Sequence, residues 1–142
     1  MATSKIGLLS RGITLSYKQG ETFTLIPNLQ EVPDLGGAAE KVDVTTLADA
    51  NYKYINGIKD FGDLAFKFLF DNSGETSNYR VCRGLEEAGD VVEWKVTFPD
   101  STEFVFSGEA STAIDSAAVN AALTFTLNIT LNSDIAVTHP TI

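Results

Sequence analysis

Nucleophilic or acid–base catalysis needs a base held in place, and the chain has one histidine, His139, in the closing stretch Thr138-His139-Pro140-Thr141. A residue so near a terminus is poorly placed to hold a reacting geometry and reads as a tail histidine. The single cysteine, Cys82, falls on the apolar stripe of a predicted helix with neither histidine nor cation beside it, the setting of a buried structural thiol. These two are the only soft ligands, which excludes a structural zinc site. No GxSxG elbow or P-loop is present, and Leu35-Gly36-Gly37-Ala38 lacks the lysine that follows a phosphate cradle. Asp60 with Asp63, and Glu86 with Glu87, are close in sequence, but that does not set the ~5–9 Å separation two-carboxylate hydrolysis requires. Asp71-Asn72-Ser73-Gly74-Glu75 has the residues of a calcium loop without its ligand spacing, and suits a turn into a helix better. An enzyme is the weakest reading; no catalytic residue, metal or cofactor is expected.

Composition narrows the rest. The 142 residues carry 10 basic and 19 acidic side chains, a net charge of −9, and 44% belong to the hydrophobic set, too many for a disordered acidic tail. The length suits one domain, 1–142, and one cysteine cannot form an intrachain disulfide. The acid excess opposes a protein that clamps phosphates, though not one that lets nucleic acid pass without sticking. It is uneven: residues 1–70 hold 7 basic and 8 acidic side chains, whereas 71–142 hold 3 and 11. No signal-peptide pattern and no apolar run of ~20 residues occurs, so a subunit made soluble in the cytosol and not associated with membrane is expected.

The dominant period is two, which makes the chain mainly β. Leu123, Phe125, Leu127, Ile129 and Leu131 alternate with short polar residues; Leu64, Phe66, Phe68 and Phe70 form a second run, and Val92, Trp94, Val96 and Phe98 a third. Pro99-Asp100-Ser101 then suits a tight turn before Phe104 and Phe106, so 91–107 reads as a hairpin. Weaker strands are Ile13–Tyr17, Thr22–Ile26 and Lys41–Leu47. One helix is predicted over 76–88, with Thr76 or Ser77 as N-cap, Tyr79, Cys82 and Leu85 at spacing three, and Gly89 as the stop. A short second helix over Ser116–Ala122 competes with a plain lead into the last strand. The fold class is α+β: a mostly antiparallel sheet with one flanking helix.

The segment 48–62 is longer than an ordinary hairpin loop and carries Tyr52, Tyr54, Ile55, Ile58 and Phe61, with Asn56-Gly57 marking a turn at its tip. So much apolar surface either folds back on its own core or meets a partner. The N-terminal arm 1–12 raises the same question more weakly. Trp94 is the one aromatic a sugar- or receptor-binding groove would use, but its phase with Val92 and Val96 favours the core.

The stretch Leu29–Phe70 resembles the tail tube (major tail) proteins of long, non-contractile-tailed bacteriophages, the siphophage type. The resemblance rests on the Pro33-Asp34-Leu35-Gly36 turn, the strand Val42–Leu47, the aromatic loop with Tyr54-Ile55-x-Gly57-Ile58-Lys59-Asp60, and the strand Leu64–Phe70. It continues through Phe98-Pro99-Asp100 and Ala122–Thr130. Members often have proline where this chain has Asn56, and glycine near the last turn where it has Ser133-Asp134. No added C-terminal decoration domain is expected.

The resemblance implies a β-sandwich or barrel subunit with a long inter-subunit loop and an N-terminal arm. Six copies form a ring and rings stack into the virion tail tube, with tape-measure, tail terminator and tail-tip proteins as partners. DNA passes through without specific binding. An inner barrel of 24 strands at ~4.8 Å spacing and ~40° tilt has a diameter of ~50 Å, wide enough for a duplex. Tyr52, Tyr54, Ile55, Ile58 and Phe61 would then pack on neighbouring subunits, and Asp100, Glu103, Glu109 and Asp115 would supply lumen charge that repels phosphates. The rival class is a monomeric β-sandwich module that binds a ligand or receptor.

Overall fold

The computed structural model describes residue 9 and residues 11–36, 39–59 and 63–140. Among these, one α-helix accompanies ten strands: β1 (Thr14–Gln19), β2 (Thr22–Ile26), β3 (Leu29–Glu31), β4 (Ala39–Asp43), β5 (Tyr54–Lys59), β6 (Asp63–Leu69), α1 (Asn78–Ala88), β7 (Val92–Thr97), β8 (Glu103–Ile114), β9 (Thr124–Leu131) and β10 (Ala136–Thr138). Eight strands form one antiparallel sheet in the order β2-β1-β7-β8-β9-β6-β3, with β10 added beside β8; β4 and β5 pair only with each other.

The chain steps from β2, at one edge of this sheet, to β3, at the other, through Pro27 and Asn28 alone. Ile26 and Leu29 are three Cα steps apart, at most ~11 Å, so the sheet must curl until its edges approach, although no ladder joins them among the described residues. Residues inside the curl are those the period-two pattern predicts. Leu64, Phe66 and Phe68 stand opposite Ile129, Leu127 and Phe125, and all six are buried with Leu15, Ile26, Val96 and Phe106 in one core. Trp94 is fully buried and donates its indole N–H to the Gly108 carbonyl at 3.2 Å, which removes it as a ligand-binding aromatic.

Strand β8 changes partner along its length. Residues 103–108 pair with β7 and residues 108–114 with β9, so Gly108 sits in both ladders. A Cβ at Gly108 would run into the Thr130 carbonyl oxygen and lie 2.7 Å from Ile129 Cγ2, so only glycine lets β9 come this close. β8 extends seven residues past the predicted hairpin because Ser107–Ala113 holds small residues with no apolar alternation to mark it. The turn itself is as predicted: the Asp100 carboxylate accepts the Thr102 N–H, and Ser101 takes a left-handed φ of 76°.

Helix α1 begins two residues later than predicted. Ser77 occupies the N-cap position, but its hydroxyl accepts the Gly74 N–H rather than a helix N–H. Gly89, left-handed at φ 70°, closes the helix. Cys82 points into the core and Tyr79 packs on Phe125 with ring centroids 5.3 Å apart. The helix covers the inner face of β8 and β9: Thr112, on that face, donates its hydroxyl to Glu86 at 2.7 Å. The second helix does not form; 116–123 is a turn around Asn120, whose positive φ of 62° interrupts any helical run.

Asn78, fully buried in the first turn of α1, holds the seam of the curl. Its Nδ2 donates to the Pro27 carbonyl (3.0 Å) and the Leu69 carbonyl (2.6 Å), while its Oδ1 accepts the Asp71 N–H (3.1 Å). The link between the sheet edges, the end of β6 and the helix start thus meet at one side chain.

Candidate assembly surfaces

The expected loop 48–62 is the second half of a β-hairpin arm. Asn56 and Gly57 lie mid-strand in β5, not at a tip: Asn56 pairs with Lys41, Ile55 with Val42 and Tyr54 with Asp43. Gly57 lies close against β4: a Cβ there would lie 3.0 Å from Val42 Cγ2 and 3.1 Å from the Glu40 carbonyl oxygen, tighter than ordinary contact. The strand predicted to Leu47 ends at Asp43, because a polar knot takes over. Thr45 N–H bonds to the Asp43 carboxylate, Thr45 Oγ1 accepts the Lys53 N–H, and Asp49 accepts the Thr46 N–H and ion-pairs with Lys53 at 2.8 Å. Those contacts, Lys53 first, hold the Asp49 carboxyl below its usual range. The paired strands of the arm run for about 17–20 Å at ~3.3 Å per residue, with the knot beyond them.

Both faces of the arm expose apolar side chains. Val42 stands opposite Ile55 on one face, and Tyr54 and Ile58 share the other. Ile58 is 85% exposed, Tyr52 77% and Leu47 fully exposed. A two-stranded hairpin is at best marginally stable by itself; one with apolar side chains on both faces belongs between partners. The sequence singled out Tyr52, Tyr54, Ile55 and Ile58 but missed Val42, Val44 and Leu47, which look like core residues until their strand is seen to have no core. Phe61 and the arm 1–12, apart from residues 9, 11 and 12, lie outside the described residues.

The second surface is the outer face of β8, β9 and β6, across the sheet from the helix. Glu109, Ser111 and Ala113 stand opposite Thr130, Asn128 and Thr126, which stand opposite Asp63, Ala65 and Lys67. It is a field of short polar side chains with three carboxylates, Asp63, Glu109 and Asp115, around one ammonium. Both oxygens of Asp115 accept threonine hydroxyls at 2.7 Å, from Thr124 and Thr126. Those bonds, with a smaller contribution from Lys67, hold its carboxyl below the usual range.

The four acids expected to act together are brought together only in part. Glu109 and Asp115 belong to this polar field. Glu103 lies on the same side of β8 but beside β7, where Lys95 pairs with it at 3.5 Å. Asp100 is used by the turn before β8, beside Glu103, so three of the four acids share one side of β8 and Asp100 stands apart from them.

Residues 1–140 match the family model described as "Phage tail tube protein, TTP". No curated protein matches by sequence. Among solved structures, a chain in "Tail of empty GTA particle computed with helical refinement, C6 symmetry" is similar with a TM-score of 0.73 at 18% identity, over 93% of this chain and 99% of that one. A chain in "Cryo-EM structure of the anti-feeding prophage (AFP) baseplate, 6-fold symmetrised" gives 0.72 at 14% identity, over 99% of this chain and 100% of that one. These likenesses show a shared fold, and the family match adds the role that the arm and the polar sheet face suit: the chain belongs to the phage tail tube proteins, structural components of the tail.

Proposed function

We propose that this subunit assembles as rings of six that stack into a tube through which the genome leaves the virion. Its arm is wedged between neighbouring subunits, and the outer face of β8, β9 and β6 is turned to the lumen. The observation that carries this reading is the arm: it exposes apolar side chains on both faces, is paired with no other described strand, and is knitted at its tip by its own polar groups. The six-fold symmetry named for the two similar structures supports the ring size. Threonine, serine, asparagine and alanine in the lumen give duplex DNA few long side chains to catch on, and net acidity keeps phosphates off the wall. The role is structural, without a reaction. The tape-measure protein would fill the tube, terminator and tail-tip proteins would close its ends, and the host cytoplasm would supply soluble subunits.

The test replaces Glu40–Ile58 with a short glycine-serine turn. Circular dichroism should show the sheet intact, while sedimentation and electron microscopy show monomers under conditions where the unaltered chain forms tubes. Normal tubes from the shortened chain would overturn the reading. A lumen-specific test places lysine at Ser111 and Asn128; DNA ejection at low salt should slow, and an unchanged rate would exclude this face from the lumen.

A further inference from the structure

A groove of about 560 Å³ opens where the curled sheet's seam meets the β7–β8 turn. Its apolar lining is Ile13, Leu29, Val32, Leu35, Phe98 and Phe104, and the rings of Phe98 and Phe104 lie 4.9 Å apart. Glu31 and Asp34 stand exposed beside it, and neither is ion-paired among the described residues.

The arm face that carries Tyr54 and Ile58 also carries Lys41, by the pairing of Asp43 with Tyr54 and Lys41 with Asn56. The Lys41 ammonium lies 5.8 Å from the Tyr54 ring centroid and pairs with no carboxylate among the described residues. We propose that the groove of one copy receives this face of a second copy's arm, with Tyr54 and Ile58 against Phe98, Phe104 and Leu35, and Lys41 between Glu31 and Asp34. The claim rests on the assembly reading above and assigns the receptor for one of the two arm faces.

Three things support that choice of occupant. The charges are complementary, on a chain whose net −9 makes any contact between copies repulsive unless cations are placed against carboxylates. The shapes are complementary too: two exposed apolar side chains projecting from a thin ribbon against a half-buried aromatic cleft. Finally, knob and cleft are different patches of one molecule, so the contact can repeat head-to-tail, the kind that generates rings or filaments.

The experiment uses the full chain in two arms. Charge exchange comes first: Lys41→Glu should raise the concentration needed for tube formation roughly five- to tenfold, the equivalent of one partly screened ion pair. Adding Glu31→Lys and Asp34→Lys to the same chain should recover most of that loss. Cross-linking comes second, in a Cys82→Ser background: Ile58→Cys subunits mixed with Leu35→Cys subunits should form a disulfide dimer on oxidation, and neither alone should. If the unaltered chain forms tubes but neither rescue nor mixed disulfide occurs, the groove assignment is wrong and the tube reading stands. If the unaltered chain forms no tubes, both are wrong.

Discussion

Replacing Asn78 by alanine removes the side chain that hydrogen-bonds the link between the sheet edges to the helix start. Three hydrogen bonds disappear: the Pro27 carbonyl, the Leu69 carbonyl and the Asp71 N–H, all on half-buried residues, lose a partner whose own side chain is fully buried. Stranding such a backbone group costs roughly 1–2 kcal/mol, so the three together cost ~3–6 kcal/mol, a large share of the 5–15 kcal/mol typical of a domain. With an unfolding entropy of ~0.3 kcal/mol/K for a chain of this length, the melting midpoint should fall by ~10–20 °C. Urea and thermal unfolding, followed by circular dichroism at concentrations where no polymer sediments, measure it. Asn78→Asp adds a sign: a carboxylate aimed at two carbonyl oxygens is disfavoured in the folded state, which raises its folded pKa above the unfolded value. Its penalty is therefore full at pH 7 and shrinks as pH falls through the raised folded value. An Asn78→Ala subunit within ~1 kcal/mol of the original would show that the seam is held by packing alone.

Gly108→Ala should destabilise the subunit by about 3 kcal/mol, because the added methyl meets Ile129 and the Thr130 carbonyl in a ladder that cannot widen on both sides; urea midpoints check this. Burial pushes the Cys82 thiol up to about 12, so iodoacetamide at pH 8 should leave the folded protein unlabelled over hours and label it within minutes in urea. Hydroxyl donors hold Asp115 (Thr124, then Thr126) and Glu86 (Thr112 first) below their usual carboxyl values, so their stabilisation is complete above the unfolded values near pH 4 and is lost as pH falls through the lower folded ones. Thr126→Val should flatten the acid limb of the stability–pH profile; an unchanged limb would show that Asp115 is not held through that hydroxyl.

Strands β6, β7 and β9 were legible because each buries one face throughout, so strict alternation survives in the residues. The second half of β8 was not: its inner positions, Gly108, Ala110 and Thr112, are small where β9 and α1 press close, and its outer ones are short and polar. Asn56-Gly57 has the composition of a turn, but at Gly57 the demand is steric, imposed by Val42 and Glu40 across the ladder. Asn78 carried no signal, since its partner Pro27 lies 51 residues away and only the curl brings it near. For the candidate surfaces, sequence identified apolar residues that lack a core but not the ribbon that displays them. It counted the late acids without knowing which side of which strand each occupies.

The short passage through Pro27 and Asn28 also bears on how the subunit reaches its fold. Neighbours in the chain become opposite edges of the sheet, so the pairings between them are distant: Leu15 meets Val96, 81 residues on, and Leu64 meets Ile129, 65 residues on. Such long loops must close before their contacts repay the lost chain entropy, which makes refolding slow, in the millisecond-to-second range of all-β domains. The hairpins β1–β2 and β7–β8 can zip early. Joining them into one curl waits on β6 and β9, leaving bare strand edges that another unfinished chain can capture. Yield from concentrated refolding should thus be limited by off-pathway strand pairing, and dilution or lower temperature during synthesis should recover native subunits.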